Sequence, residues 1–436
     1  MQFHVLSFEG PDPYSRAGGL ASRVEGLAHT LANLGFETHL WFVGDPELPG
    51  HEQHEELVLH RWAQWVSRHH RAGVYDGEFG KVGELANALP PYLLEQSLLP
   101  HLAAGGRAVI LAEEWQTVDA VLHLHWLLER RGLRDRVAIL WNANNTFGFE
   151  RIDWPRLAEV AAITTVSRYM KHRMWALGVN PLVIPNGLPG EAFEPPARGA
   201  CAELRRRFGD RTVLVKIARF DPDKRWLAAV KTVGLMKRTG WRPLLLARGG
   251  AEAHGAEVLE AMRAEGLVVQ ERAWQQPGAA GLLDALRDVN GADVVHLRSR
   301  LDPEARRVLF RGGDAVLANS GHEPFGLVGL EAMAAGGLAC TGTTGEDYAV
   351  PGQNALVLET GDPAEFLGMF GRLRGRPEEA QAIRRAGRAT ARRFAWPEVV
   401  QRVLLPRIEL THGAGGVGLP AREPIGDRVG VADTSW

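Results

Sequence analysis

The sequence is short of cysteine and of long apolar runs, and each shortage excludes a class of protein. Only two cysteines, Cys201 and Cys340, occur in 436 residues, which excludes a disulfide framework and favours a reducing compartment. No uninterrupted apolar run approaches the roughly 18 residues that a membrane-spanning helix needs. The first residues show neither the basic leader nor the apolar core of a signal peptide. We therefore expect a soluble, cytoplasmic protein.

Net charge is also nearly absent. The 50 basic residues are balanced by 52 acidic ones, which gives a formal net charge of -2, so no overall field attracts the chain to nucleic acid or to an anionic membrane. We expect no nucleic-acid partner. Residues 59–71 mix aromatic and basic side chains as an interfacial helix does, but contact with a membrane surface is the less favoured interpretation. The alternative is that this short stretch covers the protein core.

What is present is ordinary globular composition, 45% hydrophobic and 23% charged, with short apolar runs that alternate with segments of helical period. This alternation predicts an α/β fold in which parallel sheets are flanked by helices. A strand, a loop, a helix and a second strand follow one another over residues 3–43, and the same order restarts at residue 212. The length suits two domains of about 200 residues each rather than one core.

The two halves are separated by a turn-rich segment at 183–190, which is suited to a linker. A later helical pattern is broken at Pro397, and the last residues are rich in Gly and Pro with little periodicity. The predicted boundaries are 1–186 for the first domain, 187–395 for the second, about 396–410 for a helix that could pack back on the first domain, and 411–436 for a loose tail.

The most informative segment is 318–336, which reads "ANSGHEPFGLVGLEAMAAG". A predicted strand leads through a turn into a helix that begins near Phe325, and such a helix presents free backbone N–H groups to a phosphate. Glu323 lies in the turn, where its carboxylate can face a sugar hydroxyl. Glu331 lies about two turns along the helix, where a carboxylate can accept hydrogen bonds from a ribose diol. Solvated charges at a helix end are the alternative for both.

Glu323 and Glu331 in this setting resemble the hallmark of the retaining nucleotide-sugar glycosyltransferases with the GT-B fold, in particular family 4 and the bacterial glycogen synthases. Three further stretches resemble the same family, namely "TTVSRYMKHRMWALGVNPLVIPNGL", "VKIARFDPDKRW" and "GEDYAVPGQNALVL". The resemblance covers about residues 1–405. It implies two Rossmann-like domains whose parallel sheets face each other across a cleft, with the donor mainly on the second domain and the acceptor on the first.

The resemblance implies that Arg219 and Lys224 clamp the donor diphosphate, and the chemistry agrees because the leaving group needs fixed positive charge. A surface loop is the alternative. One residue fewer separates this pair than in the family, and Arg225 replaces the usual glycine. Gly18 and Gly19 resemble the first-domain loop that touches the donor phosphate, with a simple tight turn as the alternative. The donor-binding residues implied in this way are Gly18, Gly19, Arg219, Lys224, Arg298, His322, Glu323, Phe325, Gly326, Leu327 and Glu331.

Other sites in the first domain are implied with departures from the family. Asn142 stands where the family carries a histidine near the reacting sugar carbon, so an amide would do its hydrogen bonding. Glu113 and Glu114 replace the His-Asp of glycogen synthases. Glu114 and Trp115 are candidates for the acceptor side, and a plain core tryptophan is the alternative for Trp115. The catalytic candidates are Glu323, Arg219, Lys224 and Asn142.

The function predicted in this way is a retaining hexosyltransferase that moves a sugar from a UDP-, ADP- or GDP-sugar to a carbohydrate or other hydroxyl acceptor by front-face displacement. We expect no metal and no cofactor, because no Asp-x-Asp motif stands where a strand end could use it to hold a metal and because the helix terminus and basic pair can neutralise the diphosphate. One alternative is a nucleotide-sugar-binding or regulatory protein that has lost transfer. Another is a different GT-B enzyme, an epimerase or a phosphorylase. A dinucleotide oxidoreductase is disfavoured because the first turn lacks Gly-x-Gly-x-x-Gly.

Overall fold

A computed structural model describes residues 1–411 of the chain. The predicted loose tail, 411–436, lies outside the described residues from residue 412 onward. The strands are β1 Gln2–Leu6, β2 Glu37–Val43, β3 His51–His54, β4 Leu57–Trp62, β5 Ala108–Glu113, β6 Val137–Ala143, β7 Ala162–Thr165, β8 Leu182–Val183, β9 Thr212–Ile217, β10 Pro243–Arg248, β11 Val269–Arg272, β12 Val294–Leu297, β13 Ala315–Leu317, β14 Ala339–Thr341 and β15 Leu356–Val357.

The helices lie between these strands, as the alternating pattern predicts. They are α1 Gly19–Asn33, α2 Gln64–Ser67, α3 Glu78–Asn87, α4 Leu89–Leu93, α5 Leu99–Ala103, α6 Val118–Arg130, α7 Trp154–Val160, α8 Arg168–Trp175, α9 Ala200–Arg207, α10 Trp226–Arg238, α11 His254–Ala264, α12 Gly278–Ala285, α13 Pro303–Gly312, α14 Leu327–Ala334, α15 Pro363–Arg374, α16 Pro377–Arg392, α17 Trp396–Val399 and α18 Leu405–Thr411. Short π-helical turns join α4 to α5 and α17 to α18.

The first sheet has the strand order β3-β4-β2-β1-β5-β6-β7-β8. All of its pairs are parallel except the edge pair β3 and β4. Alternate side chains of β1 enter two apolar clusters: Phe3 and Val5 pack with Val24 of α1, whereas Leu6 packs with Trp41 on the other face. A parallel strand is buried on both faces because crossover helices cover both, which explains the short, nearly continuous apolar runs in the sequence.

The second sheet is entirely parallel, with the order β11-β12-β10-β9-β13-β14-β15. The first sheet ends at Val183 and the second begins at Thr212, so the predicted boundary at 186 falls in the connection between the sheets. Two parallel-sheet α/β domains are therefore present, as predicted.

The last described helices return to the first domain. A Cβ atom on Gly26 of α1 would lie 2.1 Å from the indole nitrogen of Trp396, so the two helices approach closely. The side chains of α17, α18 and the turn between them that join the first-domain cluster are Trp396, Val399, Val400, Leu404, Leu405 and Ile408. This packing ties the end of the described chain to the domain in which the chain began.

The interfacial-helix interpretation of residues 59–71 is wrong. Leu59, His60 and Arg61 belong to β4, a largely buried strand that pairs with β2, and only four residues, Gln64–Ser67, are helical. A strand in the sheet cannot present one apolar stripe to a membrane. Among residues 1–411, no helix combines the length and apolarity that crossing a membrane requires.

Candidate active site

The candidate residues lie at the carboxyl ends of the central strands. β1 lies between β2 and β5, and β9 lies between β10 and β13. Where neighbouring parallel strands send their connections to opposite sides of a sheet, a crevice opens at the carboxyl ends. A cavity of about 1100 Å³ separates the two domains. Residues that line it include Arg16, Arg23, Asn186, Trp274, Ser299, Arg300, Arg306, Leu327 and Glu331.

Lys224 and Glu323 form the polar centre of the second-domain site. Lys224 follows β9 and Glu323 follows β13, 99 positions later, and the ammonium Nζ donates to the carboxylate Oε2 at 2.6 Å. Their loops are also joined by a bond from the Gly321 N–H to the Asp223 carbonyl at 2.6 Å. The two side chains are 21% and 18% exposed, so the pair is held in place and yet open to a ligand.

Arg219 and Arg225 occupy different places in the same loop. The Arg219 side chain is exposed, and within residues 1–411 it forms no ion pair. Arg225 has φ 50° and ψ 43°, the left-handed conformation that favours glycine, which explains why the family usually has glycine here. Its guanidinium donates to the Thr360 carbonyl at 3.0 Å. Arg225 therefore adopts a backbone conformation that glycine favours, and within residues 1–411 no ion pair joins Arg219 to Glu323.

Glu331 points into the cavity from α14 and is ion-paired with Arg306 of α13. Both side chains are partly exposed. No sequence pattern singles out Arg306, because it lies 25 positions before Glu331 and meets it only through the packing of two helices. Arg306 holds the Glu331 carboxylate in one orientation, which suits recognition of a diol.

The segment before α14 brings backbone rather than side chains to the site. The Phe325 side chain is buried and packs against the rings of Tyr348 and Phe394, so Phe325 offers its backbone rather than its side chain, and its donor-binding role stays a prediction. Gly326 has φ 80°, and a Cβ there would lie 2.6 Å from Glu346. The helix begins at Leu327, two residues later than predicted, and its first N–H groups lack helical partners.

Glu346 lies behind this turn. Its carboxylate accepts hydrogen bonds from the N–H groups of Gly342 at 3.2 Å and Thr344 at 3.1 Å. Burial, with a smaller contribution from the negative charge of Glu323, raises the pKa of Glu346 to about 7. The Thr344 hydroxyl in turn accepts from the Glu323 N–H at 2.9 Å. The backbone of Glu323 is thus fixed by a buried polar network that sequence reasoning did not include.

His322 faces the first domain. Its Nδ1 lies 3.2 Å from the hydroxyl of Tyr169 on α8. Beside it, the Asp347 carboxylate accepts from the backbone N–H of Arg168 at 2.7 Å and from its side-chain Nε at 3.3 Å. The predicted donor-binding segment of the second domain therefore contacts the start of α8 in the first domain.

The Gly18–Gly19 loop is engaged by an internal carboxylate. Glu9, which is buried after β1, accepts from the N–H groups of Gly18 at 2.9 Å, Ala17 at 3.2 Å and Ala21 at 3.3 Å. The Gly18 N–H is therefore already used, which counts against its predicted contact with a phosphate. Gly19 faces the other domain, because a Cβ there would lie 3.8 Å from the Leu327 side chain. An acidic residue soon after β1 was the only sequence signal for Glu9.

Asn142 lies inside a buried network and not in the open cleft. Its amide nitrogen donates to Glu113 Oε2 at 2.8 Å, and its amide oxygen accepts from the Thr164 hydroxyl at 2.9 Å. Glu113 also accepts from Arg23 Nε at 3.0 Å. With 4% exposure and both ends of the amide occupied, Asn142 is placed to hold the network. Its catalytic role stays a prediction that this placement disfavours.

Glu114 and Trp115 lie at the carboxyl end of β5. Glu114 has φ 67°, unusual for a residue with a side chain, and burial raises its pKa to about 8. Its Oε1 accepts from the Asn144 N–H at 2.7 Å. The Trp115 ring is half-buried and lies under the guanidinium of Arg151, 4.4 Å from the ring centroid. Backbone strain of this kind clusters at functional sites.

His296 is buried in β12, and its Nδ1 lies 3.3 Å from the Glu271 carboxylate. Arg298 follows the strand, exposed and 3.9 Å from the same carboxylate, and the residue after it, Ser299, lines the cavity. Ser299 Oγ bonds both the N–H and the carbonyl of Trp274, at 2.7 and 2.6 Å. Across residues 1–411, no group of three or more His, Cys, Asp or Glu side chains is arranged to hold a metal ion.

Comparison with solved structures identifies the fold. A sucrose-phosphate synthase from Thermosynechococcus elongatus has a TM-score of 0.66 with this chain at 19% identity, covering 95% of this chain and 100% of that one. The catalytic domain of starch synthase IV from Arabidopsis thaliana, bound to ADP and acarbose, has a TM-score of 0.65 with this chain at 14% identity. The match covers 94% of this chain and 99% of that domain. The chain therefore has the GT-B fold.

The match to a sequence family covers a shorter part of the chain than the structural similarity does. Residues 17–191 match the model of Glycosyltransferase Family 4, which confirms the resemblance read from the sequence. A D-inositol 3-phosphate glycosyltransferase from Acidothermus cellulolyticus is 28% identical over 231 residues, which are 51% of this chain and 46% of that protein. The match thus spans about half the length of this curated relative.

Proposed function

We propose that this chain is a retaining glycosyltransferase that moves a sugar from a nucleotide-sugar donor to a hydroxyl acceptor in the cleft between its domains. The observation that carries the proposal is the 2.6 Å contact between Lys224 and Glu323, a cation and a carboxylate held together at the carboxyl ends of β9 and β13. Two similar proteins support it, since one is a D-inositol 3-phosphate glycosyltransferase and the other is a starch synthase bound to ADP and acarbose.

The donor diphosphate is proposed to lie against Lys224 and the start of α14. Lys224 would turn from Glu323 toward the phosphate, and the free N–H groups after Gly326 would add the positive end of the helix dipole. Arg219, exposed in the same loop, supplies a second cation. Because these groups together can neutralise a leaving diphosphate, we propose that transfer needs no divalent metal.

The two glutamates are proposed to serve different parts of the donor. Once Lys224 binds phosphate, the Glu323 carboxylate is released to accept from a hydroxyl of the donor sugar. Glu331, oriented by Arg306, would accept from the ribose diol. This division follows from the positions of the two residues, one in the turn before α14 and the other in the cavity.

The proposed chemistry is a front-face displacement. The bond between the anomeric carbon and the leaving phosphate oxygen breaks, and the acceptor oxygen bonds to the same face of that carbon, so configuration is retained. The acceptor proton passes to the leaving phosphate. No side-chain base is required, which fits a first domain whose Asn142 amide is already bonded to Glu113 and Thr164.

The same observation on Asn142 favours one second candidate, a nucleotide-sugar-binding protein that no longer transfers sugar. Such a protein would keep the Lys224–Glu323 site and bind nucleotides. It would release no nucleoside diphosphate in the presence of any acceptor. The two candidates therefore differ in turnover and agree in binding.

The test begins with thermal unfolding of the full chain in UDP, ADP or GDP and in the matching glucose conjugates. A ligand at 100 times its Kd adds about 2.7 kcal/mol of stability, so the correct nucleotide should raise Tm measurably. Lys224→Ala should abolish the rise, whereas Lys231→Ala, an exposed lysine on α10, should keep it. The product of the turnover reaction should then show retained anomeric configuration by NMR.

Each outcome decides between the candidates. Nucleotide binding followed by transfer in the presence of a chelator supports the full proposal. Binding without transfer supports the binding protein, and activity that returns only with magnesium or manganese overturns the metal-free mechanism. No Tm rise with any nucleotide contradicts both candidates.

A further inference from the structure

Five arginines lie together on the second domain, and we define the arginine cluster by them. They are Arg205 of α9, Arg311 of α13, and Arg384, Arg388 and Arg392 of α16. The three on α16 are spaced four residues apart and therefore share one face of that helix. Within residues 1–411, none of the five takes part in an ion pair. By contrast, the next two arginines of α9, Arg206 and Arg207, both pair with Glu203.

The packing of separate helices brings the cluster together at the end of α13. The Arg205 guanidinium donates to the carbonyl of Arg311 at 2.9 Å. The Arg384 guanidinium donates to the carbonyls of Gly313 at 3.2 Å and Asp314 at 2.8 Å, which lie only two and three residues further along the chain. Side chains from α9 and from α16 therefore reach the same short segment.

Arg388 adds a third guanidinium that is held in place. Its Nη2 donates to the Phe193 carbonyl at 2.8 Å, and a Cβ on Gly336 would lie 3.9 Å from its Nη1. The Arg384 Nη1 lies 3.5 Å from the carbonyl of the same Gly336. The buried Nε of Arg388 has no hydrogen-bond partner in the described part of the chain. Because a guanidinium carries five N–H donors, these side chains are fixed by backbone carbonyls and still have donors to spare.

The positive charges of the cluster act on one another. Burial, followed by the charge of Arg205, lowers the pKa of Arg384 to about 10. Burial, followed by the charges of Arg311 and Arg392, lowers the pKa of Arg388. Holding like charges close together costs free energy, and an anion placed among them would reverse the sign of that interaction. The cluster is therefore a preformed place for negative charge.

The cluster lies at the opposite edge of the second sheet from the donor site. Asp314 precedes β13, whereas Glu323 follows that strand, and Gly336 precedes β14. The carbonyls that hold the guanidiniums are thus near the amino ends of these parallel strands, while Lys224 and Glu323 are at the carboxyl ends. An anion bound by the cluster would not occupy the donor site.

The dimensions and surroundings of the cluster indicate the kind of anion. From Arg384 to Arg392, α16 advances about 12 Å, so a ligand that reaches along this row needs more than one phosphoryl group. Planar guanidiniums match the paired oxygens of such groups. None of the large apolar side chains that are exposed within residues 1–411 belongs to α9, α13 or α16, so this surface has nothing to insert into a membrane or to stack on a base.

We propose that the arginine cluster binds a small anion with two or more phosphoryl groups, at a site separate from the donor site. Charge and hydrogen bonds from the guanidiniums provide the recognition. The proposal goes beyond the proposed function and does not depend on it, because it uses no residue assigned to the donor or the acceptor.

Isothermal titration calorimetry of the full chain with tripolyphosphate and orthophosphate tests the proposal. All titrations use the Lys224→Ala background, which weakens phosphate binding at the donor site. We expect tripolyphosphate to bind more tightly than orthophosphate. The further double change Arg311→Gln, Arg392→Gln should weaken tripolyphosphate binding about tenfold or more, because charge-assisted hydrogen bonds are lost. Both side chains are exposed, so the variant should fold, and thermal unfolding checks this.

The matched control is Arg263→Gln, Arg372→Gln, which removes two exposed arginines from α11 and α15 of the same domain. It should bind tripolyphosphate as the Lys224→Ala background does. The proposal is overturned if tripolyphosphate does not bind, if orthophosphate binds as tightly, or if both double variants lose the same affinity. Binding only to phosphatidylglycerol vesicles or only to duplex DNA would also overturn it. The nucleotide-induced rise in Tm of the wild-type chain tests the proposed function separately.

Discussion

At the residue scale, the two glutamates of the donor motif should separate kinetically. Glu331→Ala leaves Arg306 without its ion-pair partner and removes a charge-assisted hydrogen bond to the donor ribose. Because the ribose does not change during transfer, the donor KM should rise. The lost hydrogen bond is worth about 1.5 to 3 kcal/mol, which corresponds to a rise in KM of roughly 10- to 150-fold. Glu323→Ala should mainly lower kcat, because its contact with the donor sugar strengthens as positive charge develops in the ring.

Steady-state kinetics of both variants at saturating acceptor measure this difference, once the donor is known. Arg306→Ala is a useful companion, since it should change the donor KM in the same direction as Glu331→Ala. Near wild-type kcat in Glu323→Ala together with a large loss of kcat in Glu331→Ala would reverse the two roles.

The residues that sequence could predict at this scale are those inside a continuous motif. Lys224, Glu323 and Glu331 were found because each sits in a loop or helix with a recognisable neighbourhood, although their roles stay predictions. Arg306 and Tyr169 could not be found, because each reaches the site only through the packing of separate elements. For Asn142 the sequence predicts the position but not the surroundings. The family resemblance places it on β6, but only the structure shows that its amide is hydrogen-bonded to Glu113 and Thr164.

At the element scale, a row of histidines crosses the first sheet and should make its stability depend on pH. His4 of β1, His39 of β2 and His60 of β4 have stacked rings, and His39 Nδ1 lies 2.9 Å from His60 Nε2. Burial lowers the pKa of all three, that of His60 to about 3, with further lowering from the neighbouring histidines.

Because these folded-state pKa values lie below the unfolded value of about 6.5, protonation favours the unfolded chain. The stabilisation is complete above that pH and is lost as the pH falls toward the folded values. Because the raised pKa values of Glu114 and Glu346 act in the opposite direction, we expect the contribution of the histidine row to the free energy of unfolding, measured with urea, to fall between pH 7 and pH 5. His60→Phe keeps the stack on Trp41, whose ring centroid is 3.6 Å away, and should flatten this slope. An unchanged slope in the variant would show that the row does not control the pH dependence.

The same row shows what composition could and could not predict about elements. Strands β1, β2, β9 and β10 follow from buried apolar runs. β1 begins one residue before the predicted residue 3, whereas β2 ends at the predicted residue 43 and β9 begins at the predicted residue 212. β4 was missed because histidine, arginine and tryptophan in "LHRW" look like a surface face, whereas these side chains pair and stack within the domain. A strand whose buried side chains are polar and hydrogen-bonded to their neighbours shows no run of apolar residues, so its burial cannot be predicted from the sequence.

At the scale of the whole molecule, the contact between Asp347 and α8 should control how the two domains close on the donor. Asp347 belongs to the second domain, yet it accepts from the backbone N–H and the side chain of Arg168 in the first, next to the bond between Tyr169 and His322. Removing the carboxylate leaves the start of α8 without this partner and weakens the closed arrangement.

We therefore expect Asp347→Ala to increase the radius of gyration in X-ray scattering and to weaken nucleotide binding by about three- to tenfold. This loss of affinity is smaller than the loss of a buried ion pair would cause, because the Arg168 side chain is largely exposed. Asp362→Ala is the matched control: its carboxylate also accepts from a helix N-terminus, at Ala364, but both residues belong to the second domain. It should leave both measurements unchanged. Equal scattering and equal affinity in Asp347→Ala and the wild type would show that closure depends on the buried interface around Trp396 and Leu188 rather than on this contact.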